Sequence, residues 1–261
     1  KTAIKCGIKT ALHESNSLPG VSVKMLAPKA DLVMLGTEDA KKHLGECKKC
    51  VVTGNPLRNN IPIEEKSAAR KRLGLPDCLT ILSAGGSQGA SRLNEAVVQL
   101  LAYEQKKGNI NHIHGYGKHG RDTFMQSLAD NGVDAGNPHF IIKEYIDNMY
   151  TCMCASDLII TRAGAMTLTE ITAIGRASVL IPYPYAAENH QYYNALTLQN
   201  ANAGRIIDDK ELTGSVLIDT VNRLADDPEL LRLMSENAAK LSKRDAAGII
   251  LREITELMGI K

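Results

Sequence analysis

The chain has 261 residues, a formal net charge of +2 and 44% hydrophobic residues, which suits two ordinary domains or one large one around a real core. So mild a charge argues against nucleic-acid binding, and with no Trp and only two Phe there is little for bases to stack on. No apolar run approaches the roughly 20 residues that a bilayer-spanning helix needs, and no signal peptide opens the chain, which starts at Lys1 rather than Met and reads as a piece whose beginning lies upstream.

Taken in order, Lys9 to Leu12 is a short strand ending at His13-Glu14-Ser15-Asn16, Leu18-Pro19-Gly20 a turn, and Val21 to Ala27 a short helix. Asp31 to Leu35 is an apolar strand, and Thr37 stands where it would cap a helix from Glu38 to about Leu44. Val51 to Thr53 is a third strand, running into Gly54-Asn55-Pro56-Leu57-Arg58. Ile61 to Glu65 reads as a linker, with a helix from about Glu64 to Leu73 closed by Gly74.

A second series begins with the strand Leu79–Ser83, the turn Gly85-Gly86-Ser87-Gln88-Gly89 and an amphipathic helix from about Ala90 to Lys106. Strands at His112–Gly115 and Phe140–Ile142, with a helix at Arg121–Asp130 between them, lead to Tyr145-Ile146-Asp147 and a helix over Met149–Ala155. Asp157–Ile160 is a buried strand, Gly164 a sharp turn and Ala165–Ile174 a helix; another buried strand, a proline-rich loop and a second helix follow. Arg205–Ile207 is the last strand. Helices then run over Leu212–Leu224, from Asp227-Pro228 with the proline at the first helical position, and over Ala246–Met258. Strands alternating with helices across short links predict parallel βαβ units. Residues 79–207 supply about six strands, a complete doubly wound sheet, and 1–58 about three, the back half of a similar one.

The six cysteines include a C-x-x-C at Cys47 and Cys50. It lacks a second pair at zinc-ribbon spacing, and it lies near a basic loop rather than at the helix start a redox pair uses. Structural, reduced thiols of a cytosolic protein are the expectation.

Two glycine turns carry the chemical signal. Gly85–Gly89 and Gly164 each follow a strand and open a helix, where free backbone N–H groups meet an anion. The first is neither a Walker A loop nor G-x-G-x-x-G. Both turns fall on the sheet edge where open α/β sheets bind ligands, and two such sites suit a diphosphate. Ser87 can add a hydroxyl donor, and Arg58 a bidentate fork from across a cleft. Glu170, about a turn and a half into its helix, is placed either as acceptor for a ribose diol or as an ordinary solvated Glu. Ile146 could offer only its backbone to a base. Asn189, His190 and Gln191 are neutral polar groups suited to sugar hydroxyls or to helix capping. With no D-x-D in the chain, a divalent-metal nucleotide-sugar site of that type is not expected; no metal and no cofactor is implied.

These stretches together resemble one family. HESNSLPG, GNPLR, GGSQGA, TRAGAMTLTEI and ENHQYYNA are similar, in order and spacing, to motifs of the MurG family of peptidoglycan N-acetylglucosaminyltransferases, and the resemblance covers essentially the whole chain. It implies the GT-B architecture of two Rossmann-like domains. Residues 1–60 would be the remnant of an amino-terminal, acceptor-side domain, 61–245 a complete UDP-sugar-binding domain, and 246–261 a helix crossing back. The implied reaction moves N-acetylglucosamine from UDP-N-acetylglucosamine to undecaprenyl-pyrophosphoryl-muramoyl-pentapeptide, with inversion, at the cytoplasmic face of the bacterial membrane.

By the same resemblance, Asn16 approaches sugar or acceptor, and Arg58 and Ser87 bind the diphosphate side. Ile146 meets the uracil, and Ala165, Met166, Thr167, Leu168 and Thr169 form the helix start over the diphosphate. Glu170 holds the ribose, and Gln191 and His190 the sugar, His190 standing where some members have a second Gln. The family's first glycine-rich loops, with its proposed general base and membrane-facing patch, have no counterpart here, and Ser15 replaces the common Gln. The catalytic base is therefore unassigned, and a piece of this kind is expected to bind donor yet be catalytically incomplete alone. Two rivals stand beside this reading: a UDP-N-acetylglucosamine 2-epimerase of the same architecture, and the donor-binding half of a two-chain transferase.

Overall fold

The computed structural model describes residues 1–58, 61 and 63–260. A one-turn helix α1 (Thr2–Lys5) precedes β1 (Ala11–Glu14), α2 (Val21–Leu26), β2 (Leu32–Leu35) and β3 (Cys50–Val52). The three strands form a parallel sheet in the order β1-β2-β3. After α3 (Lys66–Leu73) come β4 (Leu79–Ala84), α4 (Ser91–Lys107), β5 (Ile110–Gly115), α5 (Phe124–Asp130), β6 (Phe140–Lys143) and α6 (Met149–Ala155). Then follow β7 (Leu158–Thr161), α7 (Ala165–Ile174), β8 (Ala177–Leu180), α8 (His190–Asn200), β9 (Gly204–Ile206), α9 (Gly214–Ala225), α10 (Pro228–Lys240) and α11 (Ala246–Met258). The second sheet is parallel throughout, in the order β6-β5-β4-β7-β8-β9. The chain works outward from β4 to β6, then crosses back to lay β7 beside β4, so the strand order reverses between those two.

Helices cover both faces of the six-stranded sheet, as parallel strands require. On one face Leu93, Val97, Leu100 and Leu101 of α4 are fully buried with Leu217 and Val221 of α9. Their three- and four-residue spacing is the apolar stripe of a core-facing helix, each side chain adding roughly 1.5–3 kcal/mol by leaving water. On the other face α3, α6, α7 and α8 bury Ala69, Met153, Ile171 and Ala195. Asp227 caps α10 by accepting from the Leu230 N–H, with Pro228 in its first turn. The carboxylate of Asp157 accepts from Lys66, Arg70 and the Thr80 N–H, tying α3 to the sheet.

Several elements differ from expectation. β1 lies two residues later than Lys9–Leu12, because Glu14 accepts from the Asn16 and Gly20 N–H groups and so shapes the turn that follows. Residues Glu38–His43 form a 3-10 helix, and Thr37 does not cap it; its hydroxyl donates to Ser17 instead. The helix expected from Arg121 begins only at Phe124, after a 3-10 turn at Lys118–Gly120.

Inside the sheet runs a row of buried polar side chains. Ser83 Oγ lies 2.6 Å from His112 Nε2 and 2.7 Å from His114 Nδ1, and His112 Nδ1 lies 2.7 Å from Glu104 Oε2. All four are essentially inaccessible to solvent, and His114 stacks on Phe124 at 4.8 Å. Burial, with the neighbouring His112, holds the His114 imidazole well below its usual range.

An imidazole kept neutral on folding binds fewer protons than in the unfolded chain. The stability it permits is therefore whole above the ordinary value of about 6.5 and declines as pH falls below it, by up to about 1.4 kcal/mol per pH unit. Urea unfolding between pH 7.5 and 5 is expected to show this decline, and His114→Phe to flatten it. An equal slope in the variant would assign the acid sensitivity elsewhere.

Candidate functional site

Reversal between β4 and β7 sets the carboxyl ends of these strands side by side, each running into a glycine turn. In the first, Gly86 (φ +89°) and Gly89 (φ +85°) occupy the left-handed region, and a Cβ on Gly89 would stand 2.3 Å from the Tyr116 carbonyl oxygen. Only glycine meets both demands. This turn opens α4 and Gly164 opens α7, neither with a side-chain cap. First-turn N–H groups of both helices are thus left for another acceptor, and the helix dipoles favour an anion there.

A cavity of about 330 Å³ lies beside this crevice, with Arg58, Ser87, Ile146, Tyr150 and Glu170 in its wall. Ser87 and Arg58 are exposed, and Arg58 forms no ion pair among the described residues; its charge acts on Glu170 and Tyr150 through space. The Ile146 side chain is buried against Gly115, so the main chain is what this residue offers. Burial pushes the Glu170 carboxyl above its ordinary value, while the Tyr150 hydroxyl, donating to Oε1 at 2.9 Å, and the Arg58 charge pull it down.

A larger cavity of about 480 Å³ lies between the loops that follow β1, β2 and β3 and the sides of α7 and α8. Ala165, Leu168 and Thr169 line this one, so α7 presents Glu170 to one cavity and its neighbours to the other. Met166, Thr167, Asn16, His190 and Gln191 line neither. The smaller cavity is the better candidate, because the glycine turn, the half-buried Glu170 carboxylate and an arginine with no ion pair among the described residues converge on it.

Three of these polar groups are committed within the protein. Asn16 donates to Glu14 and accepts from Asn194, which also bonds the Ser17 N–H and the Ala163 carbonyl. Gln191 Oε1 accepts from the N–H groups of Ala163 (3.1 Å) and Tyr183 (3.0 Å), clamping the loops after β7 and β8 together. Only its NH2 remains for a ligand. His190 Nδ1 lies 2.9 Å from the Ala187 carbonyl. Tyr150 was not foreseen; the one signal was an aromatic with a polar tip in the first turn of a short helix. Among the described residues no group of three or more His, Cys, Asp or Glu could hold a metal ion, and no helix is long and apolar enough to cross a membrane.

Residues 80–249 match the glycosyltransferase family 28 C-terminal domain, which with the strand order defines a glycosyltransferase. Over 258 residues the chain is 36% identical to a UDP-N-acetylglucosamine--N-acetylmuramyl-(pentapeptide) pyrophosphoryl-undecaprenol N-acetylglucosamine transferase of Desulforamulus reducens, covering 98% of this chain and 69% of that one. A Thermoanaerobacter protein of the same name is 39% identical over 252 residues, covering 96% and 68%. The crystal structure of Acinetobacter baumannii MurG superimposes with a TM-score of 0.78 at 27% identity, over 97% of this chain and 68% of that one. The chain belongs to the MurG family of N-acetylglucosaminyltransferases.

Replacing Gln191 by Leu strands two backbone N–H groups, one of them on the buried Ala163. The urea midpoint of Gln191→Leu is expected to fall by the equivalent of about 1–3 kcal/mol. A residue whose sole duty is to touch a sugar would leave that midpoint unmoved.

Proposed function

We propose that the smaller cavity receives the uridine diphosphate part of UDP-N-acetylglucosamine, and that this chain is the donor-binding part of a transferase of peptidoglycan synthesis. The observation that carries this is the convergence of Arg58, the Ser87 turn, Ile146 and Glu170, from four separate segments, on one cavity at the β4–β7 crevice. In this reading the first turns of α4 and α7 take the diphosphate, with Ser87 and Arg58 adding donors. Ile146 reads the uracil through its backbone, Glu170 takes the ribose diol, and the Gln191 NH2 and His190 face the sugar. Residues 61–245 form the donor side, residues 1–60 belong to the acceptor side, and 246–261 return to it.

Chemistry follows from where charge develops. As an acceptor hydroxyl displaces the anomeric carbon–oxygen bond from the opposite face, negative charge grows on the departing diphosphate. In this reading the helix N-termini, Ser87 and Arg58 face that charge as it develops, so they stabilise it more than the ground state. Holding donor and acceptor in line supplies the rest. No step is routed through a divalent ion, and the base that takes the acceptor proton is not assigned. The acceptor in this reading is the undecaprenyl-linked muramoyl-pentapeptide. The working place is the cytoplasmic face of the bacterial membrane, met as a peripheral protein.

Two outcomes are expected. Glu170→Ala weakens UDP binding on the order of ten- to a hundredfold, the loss of about 1.5–3 kcal/mol of hydrogen bonding to a charged group, with little change in melting temperature. In calorimetry the parent prefers UDP to 2′-deoxy-UDP and the variant much less so. Equal loss for both nucleotides would move the role of Glu170 from the ribose to the fold. Separately, UDP affinity is expected to persist in EDTA; an absolute need for magnesium or manganese would defeat the helix-terminus account.

A further inference from the structure

Glu170 does not enter the cavity as a free carboxylate. Tyr150, the second residue of α6, gives its hydroxyl hydrogen to Glu170 Oε1 at 2.9 Å, and both residues line the same cavity with Arg58. Three elements meet here: α6 supplies the phenol, α7 the carboxylate and the segment after β3 the cation.

A carboxylate has about four lone-pair positions and a phenol oxygen two. With one carboxylate position filled by the phenol hydrogen, Oε2 stays open, as do the remaining position on Oε1 and the phenol's own acceptor capacity. This pair is wider than a carboxylate alone, and its terminal torsion is fixed by the internal bond. Two vicinal hydroxyls need two acceptors at fixed separation, which such a pair presents ready-made.

We propose that Tyr150 is a positioning residue for nucleotide recognition: it orients Glu170 so that the carboxylate and the phenol oxygen together accept from the 2′,3′-diol of a ribonucleotide. The proposal rests on the ribose reading of Glu170 and assigns that site a second member. Tyr150 also has an electrostatic duty. Its hydrogen bond opposes the upward push of burial on the Glu170 carboxyl, favouring the ionised acceptor against the desolvation of its site. The other charged groups facing the cavity are Arg58, which works in the same direction, and Glu144 and Asp147 on the β6–α6 loop, of which Glu144 is paired with Arg121.

Tyr150→Phe keeps the ring and its packing and removes only the hydroxyl. The probe is UDP-N-acetylglucosamine, whose phosphodiester groups do not titrate near neutrality, in calorimetric titrations from pH 5 to 8. Affinity at pH 7.5 is expected to fall about three- to tenfold, the scale of one hydrogen bond to a charged group in part replaced by water. The acid limb of binding is expected to move to higher pH, because protonating Glu170 becomes easier without the phenol. A ring that only packs would move neither. In the Glu170→Ala background, Tyr150→Phe is expected to cost clearly less than in the parent, since contacting groups couple in a double-mutant cycle. If Tyr150→Phe binds as the parent does with the same acid limb, or costs as much with Glu170 absent as with it present, the positioning role is overturned. If Glu170→Ala alone leaves affinity intact, it is the ribose reading that fails.

Discussion

The cleft depends on the reversal of strand order between β4 and β7. Successive right-handed crossovers carry the chain away from β4 on one side and, after the return, away from β7 on the other. The helices after these two strands therefore depart to opposite faces, leaving a gap at the carboxyl edge that no helix fills. Two uncapped helix starts border that gap. The glycine turns follow from the same constraint. A strand ending at a gap and feeding a helix must turn within a few residues, and Gly89 does so against the Tyr116 carbonyl, where a side chain has no room.

The two sheets are joined by side chains whose hydrogen bonds run across the joint. Asn194 is 3% exposed, yet its carbonyl and amide reach the Ser17 N–H, Asn16 and the Ala163 carbonyl. Thr197 bonds Ser17 and Asp39, and Asn55 reaches Thr169. At the far end, Lys49 pairs with Glu253 of α11 at 2.7 Å. A buried amide with its partners in place costs little, while one stripped of them costs the full desolvation of its polar atoms. The joint is therefore sensitive to register: a small slide of one sheet leaves several such groups stranded together. This also explains why Asn16, although part of a recognisable motif, spends its side chain between the sheets rather than on a cavity wall.

What was legible in the sequence was what short-range chemistry controls. Strands such as Asp157–Ile160 announced themselves by continuous apolar runs, and α6, α7 and α11 by apolar spacing and flanking breakers. The alternation of these elements predicted the parallel sheets, and the ordered motifs the family. The unreadable parts are settled by partners distant in the chain. Nothing around Thr37 says that its hydroxyl turns to Ser17. Nothing around Gln191 says that its carbonyl serves two loop N–H groups. The pairing of Tyr150 with Glu170 exists only because α6 and α7 pack side by side, so neither residue's neighbours in sequence carry a trace of it.

The buried row of Ser83, His112, His114 and Glu104 has one more property, which follows from counting hydrogens. Ser83 has a single hydroxyl hydrogen and two ring nitrogens within reach, so it must give to one ring and receive from the other. His114 Nε2 is buried without a partner among the described residues, and a bare lone pair there is easier to tolerate than a stranded N–H. The hydrogen of His114 therefore sits on Nδ1, by this assignment from the network. All the others fall into line: His114 gives to Ser83, Ser83 to His112, and His112 to Glu104. The row consequently has a head and a tail. Its tail is the carboxylate on α4, and its head is an imidazole stacked under the aromatic rings beside the glycine turn, so the interior of the sheet is polar along a line that its symmetric backbone ladder does not reveal.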